Sequence, residues 1–182
     1  MRAPGSPPSR AVSASVAALF AVVLLAGGEA HAQFANHSIG FDAGYLIIDK
    51  AVGVGNGGVI GIESTLYLEA HFDLYFRVLA GIHKEIVTGS NVVGLFPGIG
   101  VRYLLSEDTF RPYLGLSMSF MHFFGSDALP AAIFAASPML GVEYFFDNNV
   151  CAGAQFEYQR MLALNGPDGN SFAIFARIAW SF

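Results

Sequence analysis

Apolar side chains recur at every second position over most of the chain. The last twelve residues show this most clearly, because residues 171–182 place only Phe, Ile, Ala and Trp on one face of a strand and place Arg177 on the other. Successive side chains of a strand point to opposite faces. An apolar outer face against lipid and a polar inner face against a lumen would explain the pattern. The sequence therefore predicts that this segment is the closing strand of a membrane-spanning β-barrel.

Eight segments show the same period of two and predict an all-β fold, an eight-stranded antiparallel up-and-down transmembrane β-barrel. The predicted strands are residues 38–48, 59–69, 72–83, 92–105, 112–124, 134–146, 150–161 and 171–182. Hydrophobic residues make up 54% of the sequence and the mean hydropathy is +0.51. Because only helices and closed barrels satisfy every backbone group in lipid, a hydrophobic chain without long apolar runs after residue 32 indicates a barrel.

The charges sort onto one face of these strands, together with most of the glycines. The members of this inward set are Asp42, Glu63, Asp73, Arg77, Arg102, Glu143, Glu157 and Arg177. A slip of one residue would place each charge in hydrocarbon, at about 2–4 kcal/mol for an arginine near the midplane. Intramembrane charges in a narrow barrel usually pair with one another. We therefore expect a structural charge network that closes the lumen, formed by Asp42, Glu63, Arg77, Arg102, Glu143, Glu157 and Arg177.

The lengths of the hairpins predict which of these charges are neighbours. A turn centred on Ala70 places Glu63 directly opposite Arg77. Such a cross-strand pair has Cβ atoms about 4.5–5.5 Å apart. The same arithmetic about Pro167 places Glu157 opposite Arg177. Arg177 also lies on the closing strand, where Asp42 of the first strand can approach it.

The connections between the strands alternate between short and long, as barrel hairpins do. Tight turns at residues 69–71, 106–111 and 147–149 are assigned to the periplasm, and longer loops at residues 49–58, 84–91, 125–133 and 162–170 to the outside. Pro97 and Pro138 fall inside strands, where each removes a hydrogen-bond donor, so we expect a bulge or a locally opened pair at both.

The first 32 residues predict an export signal. Arg2 and Arg10 precede the apolar run 16–26, and residues 30–32 read Ala-His-Ala, which places cleavage before Gln33. We expect Sec-type export, a mature barrel domain of residues 33–182, and a location in the outer membrane of a Gram-negative bacterium. The mature chain would carry 7 basic and 13 acidic side chains, a net charge of −6, which argues against nucleic acid as a partner.

Several motifs resemble the OmpA and OmpX-like family of small outer-membrane barrels. They are residues 98–103, 111–115 and 140–145, and the terminal strand that ends at Phe182. The resemblance covers the barrel domain alone, and we expect no peptidoglycan-binding domain. It implies a non-enzymatic integral membrane protein with a structural or surface-interaction role. We expect a monomer with outer-membrane lipid and lipopolysaccharide as its partners. The resemblance also implies that the barrel-assembly machinery reads Ile178, Trp180 and Phe182 as an assembly signal.

Two other functions stay open at this point, a narrow channel or conduit for small or hydrophobic molecules and an enzyme that modifies lipid A. The deacylases among such enzymes carry a His-x-Ser pattern, and no histidine after residue 32 has a serine two residues on. Residues 53–58 match the dinucleotide fingerprint G-x-G-x-x-G but are flanked by predicted strands, so we interpret them as a surface loop. His71 and Asp73 share a face, but two ligands without a third are weak evidence for a metal. No catalytic, cofactor-binding or metal residues are assigned, and no cofactor is expected.

Overall fold

The computed structural model describes residues 37–69, 71–106, 108–126, 129–130, 132–146 and 149–182. Eight strands pair in sequence order, and β1 pairs with β8 to close the barrel. The strands are β1 His37–Ile48, β2 Val54–Glu69, β3 Phe72–Glu85, β4 Asn91–Leu104, β5 Phe110–Phe124, β6 Ile133–Phe145, β7 Val150–Ala163 and β8 Gly169–Ser181. The predicted fold class is confirmed. The predicted export segment, residues 1–32, and its cleavage site lie outside the described residues.

All eight charges that the sequence assigns to the inner face are buried in the lumen, each with at most 7% of its surface exposed. The outward positions of the strands are apolar and exposed, as at Ile60, Phe76 and Leu116. Aromatic residues near both ends of the strands, such as Tyr45 and Trp180, also face outward. The alternation therefore has one register around the whole barrel, with apolar side chains outside and every one of these charges inside.

The glycine-rich segment 53–58 differs from its prediction as a surface loop. β2 begins at Val54, and Gly57 and Gly58 pair with His83 and Ile82 of β3. The β2–β3 pairing shifts its register between Val54 and Gly57, so the glycine-rich segment forms part of the strand. Glycines hide the alternation on which the prediction depended, because they have no side chain to mark a face. The first outer connection is consequently much shorter than the predicted 49–58.

That first connection holds a 3₁₀ helix, Lys50–Val52. The side chain of Asp49 caps it by accepting a hydrogen bond of 3.0 Å from the amide of Ala51. Gly53 ends it with a φ of 85°, in the left-handed region that glycine enters without a steric penalty. In the part of the chain that the structure describes, no helix has the length and apolar character needed to cross a membrane.

The two prolines interrupt the ladder without a bulge, which is one of the two predicted outcomes. Between β4 and β5 the paired residues stop at Leu95 and resume at Gly98 in the same register. Between β6 and β7 they stop at Ala136 and resume at Met139, again without a shift. Pro97 and Pro138 both point outward, and each lacks a backbone donor where the ladder is locally open.

Candidate functional site

Four of the lumen charges form a ring of alternating sign. Arg102 contacts Glu63 at 2.5 Å and Glu143 at 3.5 Å, measured from its guanidinium nitrogens to the carboxylate oxygens. Arg177 contacts the same two acids, Glu63 at 3.3 Å and Glu143 through a shorter ion pair. The four residues come from β2, β4, β6 and β8, so alternate strands supply one layer of the lumen. The ring ties strands together that are not neighbours in the sheet.

A fifth and a sixth charge form a separate pair across the lumen. Arg77 of β3 contacts Glu157 of β7 at 2.6 Å. Glu157 also accepts hydrogen bonds from the amides of Gln155 at 2.6 Å and Gln159 at 2.9 Å. Tyr113 donates to the Oε1 atom of Gln155 at 2.7 Å. Buried ions are tolerated only when their remaining hydrogen-bonding capacity is satisfied, and the two amides do this for Glu157. The phenol of Tyr113 in turn holds the amide of Gln155.

Arg177 also spans the seam where the barrel closes. Its guanidinium donates to the hydroxyl of Ser38 on β1 at 3.1 Å and to that of Thr65 on β2 at 2.9 Å. Asp42 lies directly opposite Arg177 on β1, as predicted. Arg177 therefore links the last strand to the first two as well as to β6.

The predicted neighbours are only partly correct. Glu63 lies directly opposite Arg77, as predicted, but each forms its ion pair elsewhere. The prediction that Glu157 faces Arg177 is wrong, because Glu157 pairs with Ala173 and Arg177 with Gly153. The last hairpin is centred on residue 165, since Met161 pairs with Gly169, and the prediction had centred it on Pro167.

Three aromatic rings fill the space between the charges. Arg102 lies over the rings of Tyr75 and Tyr113, 4.2 and 5.0 Å from their centroids. Arg77 lies 4.4 Å from the centroid of Phe175. These cation–π contacts offset part of the cost of burying the guanidinium groups.

Each of these rings rests on an inward-facing glycine. A Cβ atom built on Gly100 would lie 2.6 Å from the ring of Tyr75. The ring of Tyr113 lies against Gly141 in the same way, and that of Phe175 against Gly44. The glycines were predicted as lumen positions, but each ring contact depends on the register between neighbouring strands, because each glycine is the direct cross-strand partner of its aromatic residue. The sequence signal was an inward aromatic residue at these three positions.

A second layer, which sequence reasoning missed, closes the lumen toward the long-loop end. It is apolar and is formed by fifteen buried side chains, among them Leu46, Val54, Phe96, Ile133 and Met161. The missed signal is that inward positions in the loop-side halves of the strands are mostly Leu, Val, Ile, Phe and Met, with Glu85 as a charged exception at the end of β3. The lumen therefore has a charged layer and an apolar layer stacked along the barrel axis.

His83 lies inside the apolar layer. Its ring contacts those of Phe96 and Phe123 edge to face, with both centroid distances 5.6 Å. Its Nδ1 atom lies 3.1 Å from the carbonyl oxygen of Gly55. His83 thus packs against two aromatic rings and forms a hydrogen bond with the backbone.

The loops at this end also bond to one another. The amide of Asp49 donates to the carbonyl of Asn170, and the amide of Ile86 donates to that of Gly53, both at 2.9 Å. Val52 of the 3₁₀ helix is only 2% exposed and belongs to the apolar layer. The first loop therefore contributes the side chain of Val52 to the apolar layer as well as connecting β1 to β2.

The candidate metal contact does not form. His71 lies exposed in a turn, with Nδ1 3.1 Å from the carbonyl oxygen of Leu104, whereas Asp73 is buried in the lumen. The predicted shared face is therefore wrong, because the turn interrupts the strand period. Among the described residues there is no group of three or more His, Cys, Asp or Glu side chains that could hold a metal ion.

The closed eight-stranded barrel is also found in solved structures. The chain shares the fold of small outer-membrane barrels. Neisserial surface protein A matches with a TM-score of 0.65 and 19% identity, covering 81% of this chain and 97% of that one. OprG of Pseudomonas aeruginosa matches with a TM-score of 0.57 and 13% identity, covering 82% of this chain and 97% of OprG. The N-terminal barrel domain of OprF from the same organism matches with a TM-score of 0.57 and 18% identity, covering 82% of this chain and 100% of that domain.

No protein-family model and no curated protein matches the sequence. The structural neighbours are too distant in sequence to carry more than the fold. The similarity to small eight-stranded barrels covers most of the chain, and the function has to be argued from this chain's own residues.

Proposed function

We propose that this chain is a small, non-enzymatic integral outer-membrane protein with a structural or surface-interaction role, whose lumen is sealed. The observation that carries the proposal is the pair of layers inside the barrel. An ion would have to pass both the ring of Glu63, Arg102, Glu143 and Arg177 and the apolar layer above it. An eight-stranded interior is just wide enough for side chains to fill it.

The outer surface supports the membrane location. Large apolar side chains cover the outward face of all eight strands, as Ile62, Leu114 and Ile174 illustrate. An apolar surface of this extent would aggregate in water but is stable against lipid. Outer-membrane lipid and lipopolysaccharide are the proposed partners, and the barrel-assembly machinery is the proposed partner during biogenesis. We propose a monomer.

The structural role is favoured over the channel because side chains fill the lumen at both levels. It is favoured over lipid A modification because the sequence lacks the His-x-Ser pattern of the deacylases. Lipid A mass spectra from a deletion strain test this second choice. Spectra identical to those of the parent strain are expected, and a change in acylation restored by the gene would contradict the proposal.

A heat-modifiability gel on membrane fractions tests the membrane barrel itself. A folded barrel keeps its shape in SDS until it is boiled, so unboiled and boiled samples should migrate differently. The same migration in both samples would refute the proposal. Fractionation of the cells in the same experiment should place the shifted band in the outer membrane.

A further inference from the structure

One arginine on a strand faces away from the lumen. Arg77, Arg102 and Arg177 point inward, but the side chain of Arg160 on β7 lies on the outer surface and is 51% exposed. An arginine on the lipid-facing side of a barrel is costly near the midplane and tolerated near an interface. Arg160 lies near the long-loop end of its strand, where it pairs with Asn170 of β8.

The contacts of Arg160 hold its side chain but leave its charge only weakly balanced. One guanidinium nitrogen donates to Oδ1 of Asn170 at 3.3 Å, and another lies 3.5 Å from a carboxylate oxygen of Asp168. Asp168 is 46% exposed, so this is a half-exposed ion pair of the kind that contributes little. The hydroxyl of Tyr158 donates to the same Oδ1 atom of Asn170 at 2.9 Å. The guanidinium is thus positioned on the surface with donors to spare.

An aromatic surface lies next to Arg160 on the side toward the middle of the membrane band. Phe172 stacks on Phe156 with a centroid distance of 5.8 Å and contacts Tyr158 at 5.2 Å. The cross-strand pairs follow one another as Arg160 with Asn170, Tyr158 with Phe172, and Phe156 with Ile174. Along the barrel wall the surface therefore changes from cationic through amphipathic to wholly apolar within three pairs.

This order matches the order of groups in an amphiphile with an anionic head. We infer that Arg160, Tyr158 and Asn170 bind the phosphate head of an outer-leaflet lipid, with the acyl chains lying on Phe156 and Phe172. Guanidinium groups bind phosphate through short, charge-assisted hydrogen bonds, and Tyr is suited to the level where one end of a side chain is apolar and the other wet. The inference rests on the proposed membrane location and names where on the barrel such a lipid binds.

Lys84 supplies a matched control on the other side of the barrel. It is also exposed near the long-loop end of its strand, β3, and pairs with Asn91. The outward residues on the adjoining pair are Ile82 and Val93, which are aliphatic. Lys84 therefore offers a cation at a comparable height without an aromatic surface beneath it.

The test is native mass spectrometry of the full-length mature barrel in detergent, titrated with diphosphorylated lipid A. Wild type should retain one lipid, and Arg160→Gln should weaken retention about tenfold, the change expected for one charge-assisted hydrogen bond. Lys84→Gln should bind like wild type. Lipid A without phosphates should bind wild type as weakly as diphosphorylated lipid A binds Arg160→Gln, and inorganic phosphate alone should not displace the lipid.

The outcomes separate this inference from the proposed function. Every variant is first checked for its heat-dependent shift on a gel. If wild type shows no shift, both proposals fail. If all variants shift but Arg160→Gln retains lipid A as wild type does, or Lys84→Gln loses it equally, the lipid site alone is refuted.

Discussion

Glu63 and Arg77 lie directly opposite each other on β2 and β3, yet they do not form an ion pair with each other. Glu63 binds Arg102 and Arg177, and Arg77 reaches across the lumen to Glu157. In a narrow barrel, long inward side chains converge on the axis, so a residue on a distant strand can be nearer than the neighbour in the ladder. The charges close the lumen because their ion pairs join strands on different sides of the barrel, rather than neighbouring strands of the sheet.

Replacing Arg102 should destabilise the barrel strongly. Arg102→Met leaves Glu63 and Glu143 buried with only Arg177 between them, and breaking such a buried arrangement costs about 3–5 kcal/mol. Urea unfolding, followed by the folded fraction on unboiled gels, measures the free energy of unfolding. Arg160→Met is the matched control, because its ion pair is half exposed and should contribute less than about 1 kcal/mol. Equal stability of the two variants would contradict the role assigned to the ring.

The inward glycines that lie against aromatic rings give a second prediction about stability. Gly100→Ala places a Cβ atom 2.6 Å from the ring of Tyr75, and overpacking of this kind costs about 1–3 kcal/mol. Gly58→Ala is the control, since a Cβ atom built there meets nothing within 4 Å. The same unfolding assay should show a loss for Gly100→Ala and no loss for Gly58→Ala. An equal loss of unfolding free energy in both variants would contradict the role of the ring contact, because it would be a general effect of replacing strand glycines.

The terminal aromatic residue should matter for assembly. Phe182 is 63% exposed at the short-turn end, and its ring lies 6.3 Å from that of His37. Phe182→Asp removes an aromatic anchor at the interface and alters the proposed signal for the assembly machinery. We expect the variant to accumulate in the periplasm or to be degraded, as judged by fractionation and blotting. Outer-membrane levels like those of wild type would count against the assembly signal.

Export can be tested independently of the barrel. Residues 30–32 read Ala-His-Ala, and cleavage after them would leave Gln33 at the amino terminus. N-terminal sequencing of protein extracted from membranes should therefore begin at Gln33. A mature protein that retains the apolar run 16–26 would refute the signal peptide.

Alternation predicted the strands because it is a local property, and the burial of Glu63 and Arg102 confirms the face to which it assigned them. The partners of those charges were not predictable in the same way. Glu157 was paired wrongly because a longer hairpin has an uncertain centre, and a shift of two residues in that centre changes every partner. The apolar layer was missed because alternation gives only the face on which a residue lies. Leu46 and Phe96 fit the inner face at any height along the barrel axis.

The sealed lumen is tested most directly by planar-bilayer recording of the refolded protein. Wild-type protein should show no steady conductance, because the charged ring and the apolar layer both block the axis. Arg77→Met should also stay closed, since the apolar layer around Phe96 and Ile133 remains intact. A steady conductance from wild-type protein with a confirmed heat-dependent shift, unchanged by Arg77→Met, would contradict the account.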